Sequence, residues 1–246
     1  MEKKVAVVTA AAGSGIGNAT ARRFVEEGAA IVISDTHERR LLQSAEELSA
    51  MTTSPVLSVV CDVTRQEEVD RLYRFTVEHL GGFDVAVNNA GLGGNVEIRE
   101  MTDAQWDRVI DVTLTGTFRC TRAALTHFST RRSGSIVNNA SVLGWRAQAG
   151  QAHYAAAKAG VMALTRCAAV EAASFGVRVN AVAPSLAEHE FLNRTISDDD
   201  LAVLRERELF GRGAKPWEVA NVIVFLASDY SSYLSGETIS VSSQHP

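Results

Sequence analysis

Cysteine is scarce: Cys61, Cys120 and Cys167 are the only three in 246 residues. An odd, scattered set with no CxxC pair and no His/Cys cluster excludes a disulfide framework, and no metal centre is expected. Their apolar neighbours predict reduced, buried thiols. Positive charge is not in excess either. With 24 Lys+Arg against 29 Asp+Glu the net charge is −5, which argues against a broad basic face and so against nucleic acid as a partner. The local pair Arg131-Arg132 reads as a solvated helix end or as a contact for an acidic carrier or cofactor. No apolar run approaches the roughly 20 residues needed to span a bilayer. The opening stretch MEKKVAVVTA enters a short apolar segment with no cleavage region behind it. No membrane contact and a cytoplasmic location are therefore expected. Gly/Ser linkers, repeats and low-complexity tracts are absent as well, so residues 1–246 are expected to form a single domain.

What is present is alternation. Short β-branched runs at Val5–Thr9, Ala30–Ser34, Val56–Val60, Val85–Val87, Ser135–Asn139, Val177–Val182 and Glu237–Val241 are separated by stretches of helical period. The helical stretches are Gly15–Glu27, Glu38–Ala50, Gln66–Leu80, Asp103–Phe128, Ala152–Phe175 and Trp217–Ala227, with Asp103 and Pro216 as start signals. Almost wholly apolar strands imply helices on both faces. The predicted fold class is α/β, a doubly wound sheet of about seven parallel strands flanked by helices on both faces. Residues 185–213, polar and acidic at Asp198–Asp200, break the alternation and read either as a substrate lid or as a surface excursion.

After the first strand comes Gly13-Ser14-Gly15-Ile16-Gly17, opening a helix. Glycines there let the backbone approach a pyrophosphate, and the free N–H groups of the helix start face its charge. The second strand ends at Asp35, 18 residues beyond Gly17. A carboxylate at that place accepts hydrogen bonds from both hydroxyls of an adenosine ribose and repels a 2′-phosphate, so NAD is favoured over NADP. A helix cap is the other use for such an acid, and Arg39 and Arg40 keep NADP as the second candidate. Asp62 and Val63 follow the third strand and Asn88-Asn89-Ala90-Gly91 the fourth, at carboxyl ends where ligands of open α/β sheets gather.

Tyr154 and Lys158 stand four apart in one helical stretch and so share a face. An ammonium beside a phenol favours the phenolate and is expected to lower its pKa, which makes tyrosine a usable acid or base. Ser141, just after the fifth strand, lies at the same end of the sheet, where its hydroxyl can hold a substrate oxygen. With Gly13 to Gly17, Asp62, Asn88 to Gly91, Asn180-Ala181-Val182-Ala183-Pro184 and Phe225 to Asp229 followed by Gly236, these residues resemble the short-chain dehydrogenase/reductase family along essentially the whole chain. The resemblance implies a Rossmann-type fold and an NAD(P)-dependent interconversion of a secondary alcohol and a ketone. It implies Tyr154 as proton donor in reduction, Lys158 on the nicotinamide ribose and Ser141 on the carbonyl. It places Asn89, Ala90, Gly91, Tyr154, Lys158 and Pro184 along the cofactor, and it implies a homotetramer built on the helices around 103–128 and 152–175.

Several positions depart from the family pattern. Ala10-Ala11-Ala12 stands where Thr-Gly is usual, Thr113 where the catalytic asparagine is usual, and Pro184-Ser185 where Pro-Gly is usual. His189 replaces a threonine, and Val241-Ser242-Ser243-Gln244 replaces Val-Asp-Gly-Gly. Thr113 is expected to hold the relay water with less reach, giving retained activity with an altered proton relay. His189 is either a cofactor or substrate contact or a solvated loop residue. Leu143, Trp145 and Gln151 lie between Ser141 and Tyr154 and are the substrate-facing candidates, with Arg146 able to meet a carboxylate or phosphate. The run from Asn138 to Gln148 and the end from Ile239 to Gln244 resemble actinobacterial reductases of hydroxylated fused-ring acyl-CoA intermediates in steroid breakdown. A 3-oxoacyl-carrier-protein reductase is the second substrate class, and Asp35 and Pro184-Ser185 speak against it. A degenerate nucleotide-binding protein is the alternative of a different kind.

Overall fold

The computed structural model describes residues 1–189, 192 and 197–243. Seven strands form one sheet: β1 (Val5–Thr9), β2 (Ala30–Asp35), β3 (Val56–Val60), β4 (Val85–Asn88), β5 (Gly134–Asn139), β6 (Val177–Pro184) and β7 (Thr238–Val241). Their order is β3-β2-β1-β4-β5-β6-β7, and every neighbouring pair is parallel. The α/β doubly wound sheet expected from the alternation is what the chain forms. Among the described residues the α-helices are α1 (Ile16–Glu26), α2 (Glu38–Ser49), α3 (Gln66–Leu80), α4 (Asp103–Ile110), α5 (Gly116–Arg131), α6 (Ala152–Ala172), α7 (Asp198–Glu206) and α8 (Pro216–Ala227). No helix among the described residues is long and apolar enough to cross a membrane.

Strand residues alternate between two cores, as the period of two in a pleated strand demands. Ala6, Val8, Ile31 and Ile33 face Phe24 of α1, Leu41 and Leu48 of α2, and Val219 and Ile223 of α8. Val7 and Val32 face Leu72 of α3, Cys120 and Phe128 of α5, and Ala168 and Ala172 of α6. Each fully buried Val, Leu, Ile or Phe contributes about 1.5–3 kcal/mol of transfer free energy. The two layers therefore hold the carboxyl ends of the strands in fixed register.

Two expectations need adjustment. The helix anticipated over Asp103–Phe128 runs without interruption to Arg131 but winds through a π-turn at Asp111–Thr115, between α4 and α5. There the Thr117 hydroxyl donates to the Thr113 carbonyl at 2.8 Å, and Thr113 turns its own hydroxyl to a neighbouring loop. Side-chain bonding of this kind competes with the regular helical ladder and leaves no trace in hydrophobic periodicity. Cys167, expected to be buried, is exposed. It falls outside the α6 stripe of Val161, Thr165, Ala168, Ala169 and Ala172 that meets the sheet.

Arg131 and Arg132 act as a helix end: Arg131 donates to the Phe83 carbonyl at 2.7 Å and Arg132 to the Ser174 carbonyl at 2.9 Å. Of the excursion 185–213, residues 190, 191 and 193–196 lie outside the described residues, as does Gln244. Its described part carries α7 and a bridge between Ala187 and Ala214.

Ala10 explains the missing glycine after β1, because it adopts a left-handed conformation with φ +51°. A Cβ there costs about 1–2 kcal/mol, partly offset by the lower entropy of alanine in the unfolded chain. Ala10→Gly is expected to stabilise the protein by roughly 0.5–1 kcal/mol, raising Tm by about 1–4 °C. A Tm in calorimetry equal to or below that of the parent would contradict this account.

Candidate active site

The strand order makes β1 and β4 neighbours whose onward connections leave in opposite directions, and the crevice between their carboxyl ends is the topological switch point. The glycine loop opens there. Gly17 lets the chain close on itself, since a Cβ would sit 2.2 Å from the Ala10 carbonyl oxygen and 2.6 Å from Asn89 Nδ2. Gly13 has φ +86°, and a Cβ on Gly13 or Gly15 would meet no atom within 4 Å, so the loop borders open space. The start of α1 has no side-chain cap and no acid in its first turn. Its orphan N–H groups are thus available to an anion.

Further along the crevice, Asp35 accepts from the Ala12 N–H at 3.2 Å and from the His37 N–H at 3.0 Å, fixing its carboxylate beside the loop. Asp62 Oδ1 accepts from the Thr64 N–H at 2.9 Å, and buried Val63 packs on Gly116, where a Cβ would lie 2.6 Å from Val63 Cγ2. Open space, an uncapped helix start and a fixed carboxylate beyond it fit a dinucleotide.

Tyr154 and Lys158 rise from the first turns of α6 against this crevice. Lys158 is 2% exposed, its Nζ stands 5.5 Å from the Tyr154 ring centroid, and it donates to the Asn139 carbonyl. Burial pulls its ammonium down to about 7. The Ser141 hydroxyl lies near the Tyr154 phenol and favours its ionised form. The expected lowering of that phenol by the neighbouring ammonium is not what the site shows. Burial pushes Tyr154 up, and the nearby Ser141 hydroxyl offsets only part of the rise. The physical reason is that the same burial that disfavours a phenolate also discharges the lysine meant to favour it.

Asn139 is the residue sequence reasoning passed over. Asn89 Nδ2 donates to the Ala10 carbonyl at 3.0 Å, and Asn139 Nδ2 donates to Asn89 Oδ1 at 2.8 Å. With Lys158 on the Asn139 carbonyl, an unbroken chain links the glycine loop to the lysine. The sequence signal was a pair of adjacent amides, Asn138-Asn139, closing the strand.

Comparison with known proteins decides what this geometry belongs to. A family model described as "Enoyl-(Acyl carrier protein) reductase" matches residues 10–243. A Mycobacterium tuberculosis protein named (5R,7aS)-5-hydroxy-7a-methyl-1-oxo-2,3,5,6,7,7a-hexahydro-1H-indene-carboxyl-CoA reductase is 63% identical, over 100% of this chain and 94% of its own length. The 3-oxoacyl-[acyl-carrier-protein] reductase FabG of Thermotoga maritima is 38% identical, over 98% of this chain and 97% of its own. The crystal structure of a short chain dehydrogenase from Mycobacterium smegmatis matches with a TM-score of 0.89 at 57% identity, covering 100% of this chain and 94% of that one. The chain belongs to the short-chain dehydrogenase/reductase family. It is an oxidoreductase acting on hydroxy and keto groups, and the family uses NAD(P).

Within this short-chain dehydrogenase/reductase the remaining candidates are placed unevenly. Thr113 is fully buried, and its hydroxyl accepts from the Leu92 N–H at 2.9 Å and donates to the Leu92 carbonyl at 3.1 Å. Its single proton is thus directed to the loop after β4. The same loop crosses Lys158 closely, since a Cβ on Gly91 would lie 3.3 Å from Nζ. Gln151 donates to the Gly94 carbonyl at 2.6 Å and so secures that loop as well. Leu143 is half-buried, and its N–H donates to Ser141 Oγ at 3.2 Å. Trp145 is 52% exposed. Pro184 ends β6, buried. His189 is half-buried, its Nδ1 accepts from the Leu192 N–H at 3.4 Å, and burial lowers its pKa.

Proposed function

We propose that this chain interconverts a ketone and a secondary alcohol on a bulky fused-ring acyl-CoA, with NAD(H) as its preferred cofactor. The observation that carries the catalytic part is the Tyr154 phenol beside the Ser141 hydroxyl, with buried Lys158 one turn away, at the mouth of the glycine loop. Gly13, Ser14, Gly15, Ile16 and Gly17 would hold the pyrophosphate, Asp35 the adenosine ribose, Asp62 and Val63 the adenine end, and Asn89, Ala90, Gly91 and Pro184 the nicotinamide half. When bound, the reduced nicotinamide supplies hydride to the carbonyl carbon.

The protein's own residues do the rest. Ser141 donates a hydrogen bond to the carbonyl oxygen, and Tyr154 donates the proton that makes it a hydroxyl. Its raised pKa keeps the phenol protonated at neutral pH, as a general acid in reduction requires. Lys158, tied to Asn139, would hold the nicotinamide ribose and, in its protonated form, stabilise the phenolate left on Tyr154. Thr113 and Gln151 hold the loop that covers Lys158.

The ring-bearing acyl-CoA named for the mycobacterial relative and the exposed Trp145 beside Ser141 support the substrate class. A homotetramer accords with the apolar side chains exposed on the helices expected to pair, Trp106 of α4, Phe118 of α5 and Val170 of α6. Following NADH absorbance over fused-ring ketones, their CoA thioesters and 3-oxoacyl thioesters tests the reading. Turnover confined to 3-oxoacyl thioesters with NADPH would replace it by fatty-acid reduction. Cofactor binding without any turnover would leave a nucleotide-binding protein.

Cofactor choice has its own test. Asp35→Ser removes the carboxylate that repels a 2′-phosphate and holds the ribose. The kcat/KM ratio of NADH to NADPH is expected to fall by about 10–100-fold, the worth of one or two lost charge-assisted bonds. An unchanged ratio, or a parent enzyme preferring NADPH, removes Asp35 from the argument.

A further inference from the structure

Two departures from the family pattern, Ser185 after β6 and Ser243 after β7, meet at one buried carboxylate. Glu208, just beyond α7, is 3% exposed. Its Oε2 accepts from Ser185 Oγ at 3.0 Å and from Ser243 Oγ at 2.9 Å, and its Oε1 accepts from the Leu186 N–H at 3.3 Å. The adjacent Leu209 N–H donates to the Ser243 carbonyl at 3.0 Å. Three segments far apart in sequence are thus tied together through one residue. Where glycine is usual at positions 185 and 243, there is no hydroxyl to donate.

The knot lies close to the site. β6 pairs with β5 so that Asn139 faces Val182, and the Ala140 N–H donates to the Val182 carbonyl. Ser141 stands two residues past the end of β5, and Ser185 directly follows Pro184, the last residue of β6. The segment leaving β6 is held again further out, where Glu188 accepts from the Arg205 guanidinium and from the Gly213 N–H at 2.7 Å. A buried carboxylate carries a large desolvation cost unless donors surround it, and removing those donors exposes the cost.

We propose that Glu208 is a positioning residue that fixes the wall of the substrate crevice beside Ser141, latching the β6 exit to the end of β7 through Ser185 and Ser243. The inference rests on the proposed reading of that crevice as the site of a bulky ring substrate. Contacts remote from the carbonyl then depend on the latch, while the groups on the carbonyl do not.

The test compares Ser185→Gly/Ser243→Gly, Glu208→Leu and Glu208→Gln. Glutamine keeps an acceptor for Leu186 and an amide that both hydroxyls can bond, so it serves as the conservative rescue. With NADH and a fused six–five ring ketone, KM is expected to rise about 10-fold in the double glycine and leucine variants, with kcat and NADH affinity within about twofold of the parent. Glu208→Gln should stay near the parent. Unchanged KM in folded variants overturns the proposal, as does a joint loss of kcat and NADH affinity.

Amide exchange reads the latch without turnover. The Leu186 and Leu209 amides should exchange about 10-fold faster in the double glycine variant, with Val179 and Val182 unaffected. Equal exchange overturns the latch even if the ring ketone proves not to be a substrate. Faster exchange alongside a parent inert to the ketone would instead place the failure in the proposed substrate.

Discussion

Tyr154→Phe is expected to lower kcat for ketone reduction by about 10³-fold, within the range that a positioned general acid contributes. NADH affinity, read by fluorescence titration, should stay within about twofold, because the ring remains and only the hydroxyl is removed. The phenol lies beside the Ser141 hydroxyl and within 5.5 Å (ring centroid) of the Lys158 Nζ, where it can pass its proton to the oxygen that Ser141 holds. With its pKa raised by burial, the phenol itself should remain a competent acid through neutral pH, so a change in rate near pH 7 would belong to Lys158 and not to Tyr154. A Tyr154→Phe enzyme retaining a tenth or more of the parent rate would move the proton donor elsewhere.

The second large effect is on stability. Lys158 has an ordinary pKa of 10.5 and a folded value of about 7, because burial disfavours its charge. Between those limits the unfolded chain binds one proton more than the native one, so this group makes stability rise with pH. The slope is about 1.4 kcal/mol per pH unit. Buried Cys61, pushed up from 9.0 to about 12, acts with the opposite sign once the unfolded thiol ionises. The clean window is therefore about pH 7 to 8.5, worth about 2 kcal/mol or about 4–8 °C in Tm for the cofactor-free protein. Lys158→Met should be more stable than the parent at pH 7 and should lose this rise. Parallel Tm–pH curves for the two proteins would show that the lysine keeps its charge in the fold.

How far the sequence could be read differs from place to place. The strands were legible because burial on both faces leaves unbroken apolar runs, and β1 and β3 fall on Val5–Thr9 and Val56–Val60 as expected. The π-turn at Asp111–Thr115 was hidden, because hydroxyl-to-backbone bonds such as those of Thr113 and Thr117 leave no trace in hydrophobic periodicity. Tyr154 and Lys158 were legible from their helical spacing, and Ser141 from its place after β5. Their titration was not, because a pKa depends on how much water the finished fold removes, which no spacing encodes. The departures at Ser185 and Ser243 were visible but carried no meaning until Glu208 was found between them.

Local rules acting on neighbouring residues were enough to determine the alternating elements, the glycine-bounded turn into α1 and the shared face of Tyr154 and Lys158. Those features need only the periods of strand and helix and the steric freedom of glycine. Tertiary structure alone decided which distant groups meet: Asn89 with Asn139, Thr113 with Leu92, and Glu208 with two serines. Such contacts depend on sheet order and on burial, and both are properties of the whole packed chain.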